Sequence, residues 1–102
     1  MIIYNVTVTV EESICNEWLD WIKKEHIPEI LSLGVFSSAQ INKIINNRES
    51  ENTFAIAYKC LDMKKLHEYQ SKYAISLQKK HSDKFGQKAI AFRTLMQVIS
   101  EF

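Results

Sequence analysis

The chain has two cysteines, one proline, two glycines and almost no excess of either charge, and each shortage excludes something. Cys15 and Cys60 are too few and too far apart in sequence for a disulfide framework or a four-ligand zinc site, which points to a reducing compartment. Thirteen Lys and Arg against twelve Asp and Glu leave a formal charge of +1, so no global field draws in nucleic acid or an anionic membrane. No apolar run approaches the ~18 residues of a membrane span. The opening stretch from Met1 to Thr7 lacks a basic segment and turns polar at once, unlike a signal peptide. A cytoplasmic protein with neither a membrane nor a nucleic-acid partner is expected. No repeat, linker or low-complexity tract is present.

What remains is an ordinary globular composition, 46% hydrophobic and 25% charged, over 102 residues. That length fits one domain, residues 1–102, with one core. A domain this small buries only about 60 to 70% of its unfolded surface, which makes self-association worth considering.

The periodicities read βαββαβ. Ile2, Tyr4, Val6, Val8 and Val10 alternate with Asn5, Thr7 and Thr9, as in a strand with one apolar face. Ile14, Trp18, Trp21 and Ile22 then recur at helical spacing, to about Glu25 or His26. Pro28 disfavours helical geometry at Ile27 and predicts a short second piece over residues 28–33, ended by Gly34, so this helical segment should be kinked. Alternation returns over residues 35–45 and 53–61, with a polar hairpin turn over 46–52. Asp62 predicts the N-cap of a long helix reaching about Lys80, with an apolar stripe of Met63, Leu66, Tyr69, Tyr73 and Leu77. The last strand spans residues 88–99, with Ile90, Phe92, Thr94 and Met96 expected on the helix side and Ala91, Arg93, Leu95 and Gln97 opposite.

This order is that of an α+β, ferredoxin-like fold: a four-stranded antiparallel sheet with two helices on one face. The other face would carry Asn5, Thr7, Gln40, Lys59 and Arg93, with Lys59 and Arg93 its only charges. Small neutral polar side chains suit a face covered by a second layer that keeps some water or a ligand.

The segments Met1-Ile2-Ile3-Tyr4-Asn5-Val6-Thr7-Val8, Trp18, His26-Ile27-Pro28, His81, Phe85-Gly86 and Ala91-Phe92-Arg93-Thr94-Leu95 resemble a bacterial family known as domain of unknown function 4286. The resemblance spans nearly the whole chain. It implies a dimeric α/β barrel, in which two ferredoxin-like subunits face their open sheets together, and it implies no activity. Antibiotic-biosynthesis monooxygenases, haem-degrading enzymes and muconolactone isomerases share that architecture, so function by fold is analogy.

No motif demands catalysis, and no catalytic residue is assigned. His26, His67 and His81 have no partner at metal spacing, so neither a metal nor another cofactor is expected. His26, beside the kink, should cap a helix end or bond a backbone carbonyl, and His81 should sit at a helix end where its charge is favoured. The haem-degrading pattern fails because both tryptophans lie on the first helix, where Trp18 and Trp21 read as core or interface anchors. Cys60 is in phase with core residues, and Cys15 has Glu11, Glu12 and Glu17 nearby, so neither is a good nucleophile. Lys23, Lys24 and Lys79, Lys80 fall near helix ends as dipole partners.

The pocket or interface candidates are therefore Asn5, Thr7, Gln40, Lys59, Arg93 and His26. Two readings follow from them. One is a homodimeric barrel acting as a small-molecule binding or interaction module. The other is a cofactor-independent, monooxygenase-like or isomerase-like enzyme acting on a small aromatic substrate. On the covered face Arg93 must be paired, with an anion in a pocket or with a carbonyl or acid of the other subunit.

Overall fold

The computed structural model describes residues 1–45 and 52–102, so most of the expected hairpin turn lies outside the described residues. The strands are β1 (Ile2–Val10), β2 (Ser38–Lys43), β3 (Asn52–Cys60) and β4 (Ala89–Gln97). Between β1 and β2 run α1 (Cys15–Trp21) and α2 (Ile27–Ser32), and between β3 and β4 run α3 (Met63–Lys72) and α4 (Ala74–Phe85). All strand pairs are antiparallel, in the order β2-β3-β1-β4, which is the ferredoxin-like arrangement read from the sequence.

The helices and one sheet face share a single apolar cluster that includes Tyr4, Val8, Trp18, Ile22, Ile56, Tyr58, Leu66 and Tyr69. Its rings form two groups. Tyr4, Phe36, Tyr58 and Tyr69 have centroids 5.0 to 6.1 Å apart. Trp18 lies 5.2 Å from Phe54, while Trp21, His26, His81 and Phe85 pack around one another. The molecule is a two-layer slab of 38 × 33 × 19 Å, with the other sheet face uncovered.

Pro28 does not break the first helical segment. The chain passes from α1 to α2 through a π-helical turn, Ile22–His26, in which the Ile27 amide donates to the Ile22 carbonyl. The buried residues Trp18, Ile22, His26 and Ile30 recur every fourth position. In a regular α-helix that spacing drifts by about 40° per step. The wider turn offsets the drift and holds the four residues in line against the sheet. The later segment starts as expected, with the Lys65 amide donating to Asp62 Oδ1 at 2.9 Å. It is interrupted at Tyr73 and runs past Lys80 to Phe85. Gly34 (φ +78°) and Gly86 (φ +56°) then take the left-handed conformations that end α2 and α4.

The fourth strand is turned over relative to its expected orientation. Tyr4 is the register partner of Leu95, Val6 of Arg93 and Val8 of Ala91. Ala89, Ala91, Arg93 and Leu95 therefore share the helix-side face, while Ile90, Phe92, Thr94 and Met96 lie on the open one. Ile90, Phe92 and Met96 are 63%, 61% and 43% exposed. On the helix side Ala89 is buried and Ala91 half-buried while Arg93 and Leu95 are exposed, and the bulky apolar side chains Ile90, Phe92 and Met96 of this edge strand face outward.

Candidate functional site

The inverted strand divides the candidate residues between two places. Asn5, Thr7, Gln40 and Lys59 lie on the open face: Gln40 pairs with Ala57, which pairs with Asn5, and Lys59 pairs with Ile3. There Asn5 Nδ2 donates to Thr7 Oγ1 at 3.0 Å, and Thr9 and Thr53 share a hydroxyl hydrogen bond of 3.2 Å. Lys59 is the one charged side chain among the described strand residues of this face.

Arg93 and His26 instead meet on the helix side, at a cavity of ≈ 30 Å³ between the sheet and α4. Tyr4, Tyr58, Tyr69, Gln78 and His81 complete its polar wall. That volume holds about two waters. Arg93 is exposed at its mouth, where its Nε–H donates to the Tyr4 hydroxyl at 3.1 Å. The expected carbonyl or acidic partner on a second subunit is replaced by a phenol of the same chain, because the strand faces the other way. Among the described residues Arg93 makes no salt bridge.

Both buried histidines at the cavity are held neutral. His81 Nε2 accepts from the indole N–H of Trp18 at 2.9 Å. Trp can only donate, so this nitrogen is unprotonated and Nδ1 carries the hydrogen. Burial, followed by the Arg93 charge, moves the His81 pKa down. The expected favourable charge at a helix end is therefore reversed: His81 is buried against the core rather than exposed at a terminus. His26 stacks on Trp21 with centroids 4.6 Å apart. Its Nδ1 is buried without a hydrogen-bond partner among the described residues, where the expected bond to a backbone carbonyl is not found. Burial, then His81, brings its pKa to about 4, opposed by Glu29 and assisted by Lys80 and Arg93. Burial also raises the Tyr58 and Tyr69 phenols, so both remain protonated. His67 is exposed and apart from the site.

A pH dependence follows from His26. Its folded pKa lies below its ordinary 6.5, so the unfolded chain takes up the proton first. Stability is complete above about pH 6.5 and declines as pH falls toward about 4, by up to about 3 kcal/mol from this residue. His81 acts in the same direction. Melting temperatures should drop across this window, and H26Q should flatten the drop. A profile identical in parent and variant contradicts the assignment.

Both thiols are raised, Cys60 first by burial and then by Asp62, and Cys15 first by burial, with Glu12 adding and Lys43 opposing. Neither is activated. Among the described residues no group of three or more His, Cys, Asp or Glu is placed to hold a metal ion, and no helix is long and apolar enough to cross a membrane. Sequence reasoning passed over Tyr4, Tyr69, Gln78 and His81 as site residues. The usable signal was the tyrosine on the apolar face of β1, since a buried phenol needs a polar partner.

The family model described as "Domain of unknown function (DUF4286)" matches residues 1–99. No curated protein matches the sequence. Among solved structures, a dimeric ferredoxin-like protein from an uncultured marine organism is similar at a TM-score of 0.71 and 15% identity, covering 100% of this chain and 98% of that one. A protein described as of the "ethyl tert-butyl ether d (ethd) family" from Bacillus halodurans aligns at 0.69 and 11%, over 97% and 100%. HapK from Hahella chejuensis aligns at 0.68 and 10%, over 100% and 97%. At these identities the likeness establishes the fold.

Proposed function

We propose that this chain, which belongs to the DUF4286 family, is a single ferredoxin-like domain that pairs with a second copy through its open sheet face and binds a small molecule in the helix-side cavity of each subunit. The orientation of β4 carries both halves of the reading. It turns Ile90, Phe92 and Met96 onto the uncovered face and Arg93 toward the cavity. An apolar strip beside neutral Thr, Asn, Ala and Ser side chains suits burial against its own copy, and a similar solved structure is described as dimeric. A stable pair would bury upward of about 1,200 Å² in total. Two free cysteines suit a reducing cytoplasm as its setting.

Binding is favoured over catalysis by the enclosed volume. At ≈ 30 Å³ the cavity has room for about two waters, so a ligand is held at its mouth, whereas sites that enclose a whole ligand run from about 300 Å³. Native mass spectrometry of freshly purified protein tests the reading. The expected species is a dimer of 11.9 kDa chains carrying a small retained mass that is lost on denaturation. A monomer at micromolar concentration overturns the pairing, and a ligand that leaves the resonances of Arg93, His26 and His81 unmoved overturns the cavity as its site.

A further inference from the structure

Resting on the reading of the cavity as a binding site, we infer that its ligand is a small carboxylate with an apolar body, the carboxylate meeting Arg93 at the mouth and the body lying in the groove between α4 and β4.

The groove is an open hollow of ≈ 500 Å³ that shares Gln78, His81, Ala91 and Arg93 with the cavity, so the two adjoin. The shared residues are the natural seat of a head group too large to pass inside. Beyond them the groove is walled by Ala89, Ala91 and Ile75, the last an aliphatic side chain 80% exposed. An exposed isoleucine beside two alanines offers a surface to a hydrocarbon chain or ring.

The charge of the ligand follows from what lines the two hollows. No Asp or Glu borders either one among the described residues, whereas Arg93 borders both and Lys79 borders the groove. The nearby carboxylates are ion-paired, Asp83 with Lys79 at 2.6 Å and Glu29 with Lys80 at 2.7 Å, which leaves Arg93 as the cation of the two hollows with no carboxylate partner among the described residues. Arg93 uses Nε on Tyr4, and its two terminal nitrogens make no hydrogen bond to another described residue. A planar pair of donors matches a carboxylate. The other donors agree. Tyr4 oxygen accepts from Arg93, which leaves its own hydrogen to give, and His81 carries its hydrogen on Nδ1 because Nε2 accepts from Trp18. His26 Nδ1, buried on the cavity wall and without a partner among the described residues, is one more polar atom for an occupant to satisfy.

The test uses the whole chain at pH 7 and three six-carbon probes: sodium hexanoate, 1-hexanol and hexylamine, followed by amide resonances of Ile75, Gln78, Ala91 and Arg93. Hexanoate should bind roughly tenfold or more tightly than hexanol, with hexylammonium weakest, because a charged partner strengthens a hydrogen bond by about one decade in affinity. R93Q should bring hexanoate down to the level of hexanol, R93K should fall between, and I75S should weaken hexanoate while leaving acetate unchanged. Equal binding of hexanoate and hexanol at these residues leaves the cavity a ligand site and overturns the carboxylate. Hexanoate binding untouched by R93Q also overturns it. Silence of these residues toward all three probes overturns both this inference and the cavity reading. The comparison among probes uses the parent protein and stands even if a variant does not fold.

Discussion

W18A should remove about 3 to 5 kcal/mol of folding stability, a large share of the ~5 to 15 kcal/mol that holds a domain together. Trp18 is fully buried, its ring 5.2 Å from Phe54, at the point where α1 meets the sheet. Truncation would empty the volume of an indole and also strip His81 Nε2 of its donor. The two costs separate in W18F, which keeps most of the volume and loses the hydrogen bond. That variant should lose about 1 to 3 kcal/mol, the cost of a buried acceptor left unsatisfied. Urea unfolding of the three proteins reads both differences. A loss below about 1 kcal/mol for W18A would show that the first helical segment is not anchored through this ring.

F92E should convert the protein to monomers at micromolar concentration while leaving its melting temperature within a few degrees of that of the isolated parent subunit. Phe92 is 61% exposed within one chain, so a carboxylate there is solvated and costs the subunit little. In a pair related by twofold symmetry the same substitution enters twice, placing two unpartnered charges in an apolar contact. The expected weakening is a hundredfold or more, because a truncated central aromatic alone often costs 2 kcal/mol or more. Light scattering of parent and variant at matched concentrations decides it. A dimer that survives F92E means the subunits meet elsewhere, and Q40E, on β2 at the far edge of the same face, then maps how far any contact extends.

The fold was legible because its strongest signals are local. Alternation in β1 and the Asp62 cap each follow from a few neighbouring residues, and both stand as read. The orientation of β4 was not legible, because both of its faces carry apolar residues: Ile90, Phe92 and Met96 on one, Ala89, Ala91 and Leu95 on the other. Placing the larger residues inside is sound for a central strand covered on one side. It fails at an edge strand whose bulky apolar face is left for another surface. The π-helical turn was hidden for a related reason, since Pro28 signals a break, whereas the four-residue spacing of Trp18, Ile22, His26 and Ile30 calls for a wider winding of the same helix. The cavity assembles Tyr4, His26, Tyr69, His81 and Arg93 from elements far apart along the chain, and no spacing rule links them.

The stacking of Trp21 on His26 sets an intrinsic fluorophore directly behind a residue of the cavity wall. Protonation of that imidazole places a cation against the indole face and alters its emission. Trp18, bonded to His81 through its indole N–H, reports on the second histidine. Acidification, an occupant beside either ring and loss of the Arg93 charge therefore all register as colour and intensity of unlabelled protein, with W18F and W21F assigning the signal to one indole or the other.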